Sequence, residues 1–369
     1  MTKINWSALV ILILTAIIVL LVVVLANNPR QVAHNIVAAP NQVIEWKLAT
    51  SWPKGFPGLG TAPIFFAEQV NAMSQGQLKI TVYGANEIVP ALAVFDAVST
   101  GSIEAGHSGA YYWKGKISAS PFFSTIPFGM NAQEMNAWLY QGGGLELWQS
   151  LYAPFNLYPL AAGNTGVQMG GWFNKEIKTV DDLKGLKMRI PGLAGEVFNR
   201  LGGTAVNIPG GELYTALKTG VIDATEWVGP YNDIAMGFQE VAQYYYYPGW
   251  HEPGTTMELV INKPAFEALP AHLKAIVENA AMATNQFMLN EYTANNSKAF
   301  AQLQAQAGLT ILPFPQSVLD ALQVETNNVI NDLIEDDPKA QKIYQSYRDF
   351  AESVRRYHQI SETAYLKLR

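Results

Sequence analysis

From Val43 onward, short stretches with apolar residues at every second position alternate with longer ones in which they recur every third or fourth. Val43–Ala49 alternates well enough for a strand, Gly60–Met73 carries helical spacing through Ile64, Ala67, Val70 and Met73, and Leu78–Tyr83 alternates strictly before a Gly84-Ala85-Asn86 turn. A helix over Ala91–Thr100 and a strand over Ile103–His107 continue this rhythm, which predicts an α/β fold with a parallel or mixed sheet. The second half repeats the style. Val167–Phe173 reads as a glycine-bearing strand, Val180–Gly185 as a helical turn, and Lys187–Ile190 as a strand stopped by Pro191-Gly192. Short helices over Ala194–Leu201, Gly211–Thr219 and Asn232–Phe238 flank strands over Gly203–Ile208 and Ala224–Val228. After a strand at Thr256–Ile261, Pro264 opens a helical stretch to about Gln306, which as one helix is ~60 Å long. Ser317–Leu333 and Pro338–Tyr365 predict a helical C-terminus.

Ahead of this lies an almost unbroken apolar run, Ala8–Ala26, interrupted by Thr15 and preceded by Lys3. It is long enough for a hydrocarbon core of ~30 Å and longer than the ~7–15 apolar residues usual in a cleaved signal. The expectation is an uncleaved N-terminal anchor over 1–27, with a cleaved signal peptide as the alternative. In both cases Lys3 stays inside and the rest is exported. The polar, proline-bearing stretch 28–42 reads as a tether.

Length and charge narrow the function. The 369 residues predict two domains, and a net charge of −6 with 15% charged residues argues against nucleic acid as a partner. Cysteine is absent and the five histidines are scattered, so thiolate chemistry and a histidine zinc site are not expected. Gly142-Gly143-Gly144 and Gly202-Gly203 match no nucleotide-phosphate loop. Around Ser108, Ala110 stands where a nucleophile elbow needs its closing glycine, and no triad completes it.

Three segments, Asn164–Trp172, Met188–Gly195 and Asp223–Pro230, place polar side chains beside glycine and proline. Arg189 ends a strand, where α/β folds put ligand contacts, and a fixed guanidinium pairs bidentately with a carboxylate. Gln168, Glu226 and the main chain of Trp227 offer oxygens for a hard cation beside it. Glu252, at the His251-Glu252-Pro253-Gly254 turn, is a further acceptor, and Tyr111-Tyr112-Trp113 suits a pocket wall.

Ser51-Trp52-Pro53-Lys54, Tyr111–Trp113, Pro127–Met130, Gly163–Lys175, Arg189–Gly192, Asp223–Pro230 and His251–Thr256 together resemble the solute-binding subunits of tripartite ATP-independent periplasmic (TRAP) transporters, most of all the 2-oxoacid and lactate-binding branch. The resemblance begins at about Val43 and leaves the first forty residues uncovered. It implies a two-lobed periplasmic-binding-protein-like fold with a long helix spanning both lobes. Lobe 1 is 43–165, completed by part of 252–310; lobe 2 is 166–251; 311–369 forms the C-terminal helices. It also implies a small monocarboxylate ligand, a sodium or calcium ion bound with it, and a membrane permease as partner. On this basis Gln168, Arg189 and Glu252 contact the substrate, with Asn164 and Tyr112 as wall candidates, and Glu226, the Trp227 carbonyl and Gln168 hold the metal. A metal-dependent enzyme acting on a small oxoacid and a sensory binding module are the alternatives. Sodium versus calcium, the identity of the acid and a homodimer through the C-terminal helices stay open.

Overall fold

The computed structural model describes residues 12–21 and 43–369. Residues 12–21 are helical, with Leu12, Ile18 and Leu20 among their exposed apolar side chains, and the remainder of the expected anchor and tether lies outside the described residues. No described helix is long and apolar enough to cross a membrane.

The alternating N-terminal segments become β1 (Ile44–Thr50) and β2 (Leu78–Tyr83), paired in parallel from Ile44 opposite Leu78 to Ala49 opposite Tyr83. Helix Thr61–Met73 connects them and buries Phe66, Ala67 and Val70 in a core with Trp46, Leu48 and Leu78. β3 (Ala105–Ser108) adds parallel to β1; β10 (Thr256–Asn262) lies antiparallel between β3 and β4 (Leu157–Asn164). The order is β2-β1-β3-β10-β4. A second sheet is built from β5 (Gly171–Phe173), β6 (Lys187–Arg189), β7 (Thr204–Val206), β8 (Ala224–Thr225), β9 (Tyr244–Tyr247) and β11 (Thr310–Pro313), in the order β11-β9-β5-β8-β6-β7.

The chain therefore passes between the sheets three times: after β4, after β9 and after β10. The first two passages, 165–170 and 248–255, run against each other. Thr165 N donates to Thr255 O (3.0 Å), Gln168 N to Glu252 O (3.1 Å) and Gly249 N to Gln168 O (2.9 Å). A Cβ at Gly249 would lie 2.3 Å from Gln168 O, so only glycine permits this approach. Most of the strand expected over Val167–Phe173 is absent because residues 167–170 serve this crossing, and only Gly171–Phe173 joins the sheet.

The third passage is the helix Ala271–Gln304, 34 residues and thus ~51 Å long. Its buried Leu273, Val277, Ala281 and Met288 follow helical spacing, and it packs on β4 and on helices Thr61–Met73 and Pro230–Met236. It does not begin at Pro264. Lys263–Glu267 forms a separate turn of helix, and Pro270, with ψ 152°, interrupts the run because proline lacks an N–H and disfavours helix in the residue before it. At the C-terminus, helix Gln316–Glu335 packs on helix Gly192–Arg200, while Pro338–Ile360 lays Ile343, Tyr347 and Ala351 against helices Ala132–Gln141 and Gly144–Tyr152.

Candidate functional site

The register of the second sheet brings the first two candidates together. Arg189 pairs with Thr225 across β6 and β8 and Glu226 N donates to Arg189 O (3.2 Å); β8 ends at Thr225, and just beyond it the Glu226 side chain meets the Arg189 guanidinium. Both are buried, at 1% exposure, and Arg189 Nη1 donates to Glu226 Oε1. Arg189 Nε donates to Ile208 O (3.2 Å), Nη2 donates to the Tyr112 hydroxyl (2.9 Å), and the guanidinium lies 5.2 Å from the centre of the Trp227 ring. Burial opposes its charge, but Tyr112 and Glu226 outweigh that and hold its pKa above the ordinary arginine value. The guanidinium is a permanent cation, and each of its three nitrogens donates to an acceptor in the site.

The turn after Trp227 is fixed by Asp233, which accepts from Val228 N (3.2 Å), Gly229 N (3.0 Å), the Trp172 indole (2.9 Å) and the Tyr245 hydroxyl (2.6 Å). Burial pushes the Asp233 carboxyl up to about 6 against the pull of those donors.

The two crossing segments supply the rest. Gln168 Nε2 donates to Thr165 Oγ1 (3.0 Å) and Glu252 Oε2 (2.7 Å), and the same Glu252 oxygen accepts from the Thr255 hydroxyl (2.6 Å). Gln168 Oε1 is buried without a partner, as are both ring nitrogens of His251. His251 Nε2 stands 3.5 Å from Glu226 Oε2, and ligand atoms of Glu226, His251 and Glu252 all lie within 4.8 Å of one another. Burial, then the charge of Glu226, drives the Glu252 carboxyl well above the usual carboxylate range. Two carboxylates and an orphaned amide oxygen in a dry site match the donor set of a hard cation, whose charge would relieve their repulsion.

Trp52, Leu59, Tyr112, Gln168, Arg189 and Trp227 are among the residues lining a space of ≈ 220 Å³ between the sheets. Of the expected residues, Gln168, Arg189, Trp227 and Tyr112 line this space, and Glu226 and Glu252 adjoin it through their hydrogen bonds to Arg189 and Gln168. Asn164 does not line this space: its amide donates to Gly254 O (3.1 Å) and its oxygen accepts from Gly166 N (2.9 Å), bracing the first crossing. Sequence reasoning passed over Thr165, Thr255 and His251. Adjacency to Glu252 was the one available signal for His251, which otherwise has no histidine neighbour at ligand spacing. A larger groove of ≈ 1090 Å³ on the surface carries Lys114, Glu196, Arg200 and Asp332, whose charges are already paired as Lys114–Glu196 and Arg200–Asp332.

Residues 48–337 match the bacterial extracellular solute-binding protein family 7. A monocarboxylate 2-oxoacid-binding periplasmic protein of Nostoc sp. is 44% identical over 325 residues, which is 87% of this chain and 88% of that protein. A TRAP periplasmic solute-binding protein from Colwellia psychrerythraea, solved with calcium and pyruvate, superposes with a TM-score of 0.86 at 42% identity, covering 89% of this chain and 100% of the other. One from Pseudoalteromonas atlantica, solved with sodium and pyruvate, gives 0.86 at 44% identity, covering 88% and 99%. The chain belongs to this family of TRAP solute-binding proteins.

Proposed function

We propose that this member of the extracellular solute-binding family captures a small 2-oxoacid or 2-hydroxy acid of the pyruvate and lactate class together with sodium or calcium, and hands it to a membrane permease. The observation that carries this reading is the convergence of Arg189, Gln168, Glu226 and Glu252 where two crossing segments meet the strand ends of the second sheet. Similarity to proteins solved with pyruvate and either cation supports the ligand class.

Arg189 is the anchor. A ligand carboxylate reaches its guanidinium by replacing Glu226 at Nη1, with Tyr112 at Nη2 marking the other arm of the fork. Glu226, the Trp227 main-chain carbonyl and Gln168 Oε1 would hold the cation, and Glu252, oriented by Thr255 and Gln168, would meet the distal part of the acid. The cation's contribution is charge: it neutralises the carboxylates released from Arg189 and polarises the ligand's oxygen. Trp52 and Leu59 from the first sheet's side cover the site against Arg189 and Trp227 from the second, so a ligand touching both favours the closed arrangement of the two lobes. Thermal melting with small carboxylates in calcium, in sodium and in chelated potassium buffer tests this. The largest stabilisation is expected where acid and cation are both present, and stabilisation by unrelated sugars or amines instead would overturn it.

The reading assigns binding without turnover. Pyruvate followed by proton NMR over the saturated protein should persist unchanged, and product formation would make the protein an enzyme. The apolar run Ala8–Ala26 is read as a tether to the inner membrane. Recovery of the full-length chain in the membrane fraction supports this, and its release by osmotic shock contradicts it.

A further inference from the structure

Asn232 sits wholly buried in helix Pro230–Met236, on the second sheet's side of the site. Its Oδ1 accepts from the Trp227 indole, and its Nδ2 donates to Pro57 O. Trp227 is the ring under the Arg189 guanidinium, and it is seated tightly: a Cβ at Gly210 would lie 2.2 Å from it. Pro57 belongs to the loop after β1 that also presents Trp52 and Leu59 to the cavity. One side chain thus connects the aromatic floor beneath the ligand's anchor to the opposite wall.

The chemistry at this junction admits few residues. An indole N–H only donates and a proline carbonyl only accepts, so the bridging group must present an acceptor and a donor together. A side-chain amide does so, and its orientation is dictated by the two partners. Aspartate keeps the acceptor and loses the donor; alanine loses both. The loop and the helix are also held without Asn232. Glu291 on the long helix accepts from Gly58 N (3.2 Å), Thr61 Oγ1 (2.7 Å) and the Tyr231 hydroxyl (3.3 Å), while Asn296 accepts from Tyr231 N (3.0 Å). Removing Asn232 therefore cuts the direct connection between the Trp227 ring and Pro57 and leaves loop and helix joined through Glu291.

We propose that Asn232 is a positioning residue that couples closure of the first-sheet loop to the Trp227–Arg189 floor, and so sets how long a bound acid is retained. The proposal rests on the ligand-binding reading above. The link joins groups on the two sides of the cavity, so on this proposal its loss acts on escape and not on encounter.

The test is stopped-flow tryptophan fluorescence of the full chain with pyruvate in calcium buffer, comparing wild type with Asn232→Ala and Asn232→Asp. Both variants should release pyruvate roughly fivefold or more faster while association stays within about twofold. Should alanine prevent folding, Asn232→Asp carries the test, since it keeps the acceptor for Trp227. Dissociation at the wild-type rate in the folded variants, or an equal loss in association, overturns the proposal. A wild type that binds no pyruvate overturns the functional reading and this inference with it, whereas wild-type binding with unaltered variant kinetics overturns this inference alone.

Discussion

Two groups of carboxylates lie at the same depth and are treated differently by their surroundings. Glu258, in the middle of β10, is 0% exposed and accepts from the Trp113 indole and the Tyr152 hydroxyl (3.0 Å). Burial raises it to about 7, partly countered by those two donors, and it sits as an acid bonded only to uncharged partners. Glu226 and Glu252, 1% and 2% exposed, are instead set beside each other, beside a guanidinium, and beside an amide oxygen and an imidazole that have no partner. The first arrangement closes on itself, as a packing element does. The second carries more acceptors than the protein's own donors satisfy, which is how a site awaiting a cation and an anion is built.

Removing the cation that only the second group possesses is the severest way to break this contrast. Arg189→Met leaves Glu226 buried without its counter-charge and takes away the ligand's anchor, so pyruvate affinity measured calorimetrically should fall by ~3–5 kcal/mol. Unchanged affinity would remove Arg189 from the site. Glu258→Gln probes the other group, and should leave pyruvate affinity as it is. Its effect is on stability. Because the folded-state pKa is raised from 4.5 to about 7, Glu258 favours folding most below about 4.5, and that contribution declines as pH rises towards about 7. Relative to the variant, the wild type should lose up to ~3 kcal/mol of stability across this window. Parallel denaturation curves at pH 4.5 and 7 would show that Glu258 is not the packing acid described. Smallest is Gln168→Leu, which removes the orphaned oxygen and one donor to Glu252. It should weaken pyruvate by ~1–2 kcal/mol without altering the melting profile in ligand-free buffer by a comparable amount.

The sequence disclosed the second group better than the first. Gln168, Arg189, Glu226 and Glu252 drew attention because each stands within three residues of glycine or proline, Arg189 at a strand end where α/β folds put ligand contacts. Glu258 lies within an apolar alternation, and nothing local distinguishes its buried partners Trp113 and Tyr152, far away in the chain. The α/β rhythm and the long crossing helix were readable from periodicity. The break at Pro270 was the one feature of that helix misjudged, since the apolar spacing continues across it. His251 and Asn232 escaped notice for a common reason: their roles depend on contacts, with Glu226 and with Pro57, that only the fold creates.

The central claim is that Arg189 and a cation hold the acid jointly, Glu226 passing from one to the other. Calorimetric titration of pyruvate into the wild type in calcium, in sodium, and in chelated potassium buffer tests it most directly. The account predicts that removing both cations weakens binding by about 5- to 150-fold, the range of a coupling free energy of ~1–3 kcal/mol. Equal affinity in all three buffers would contradict it.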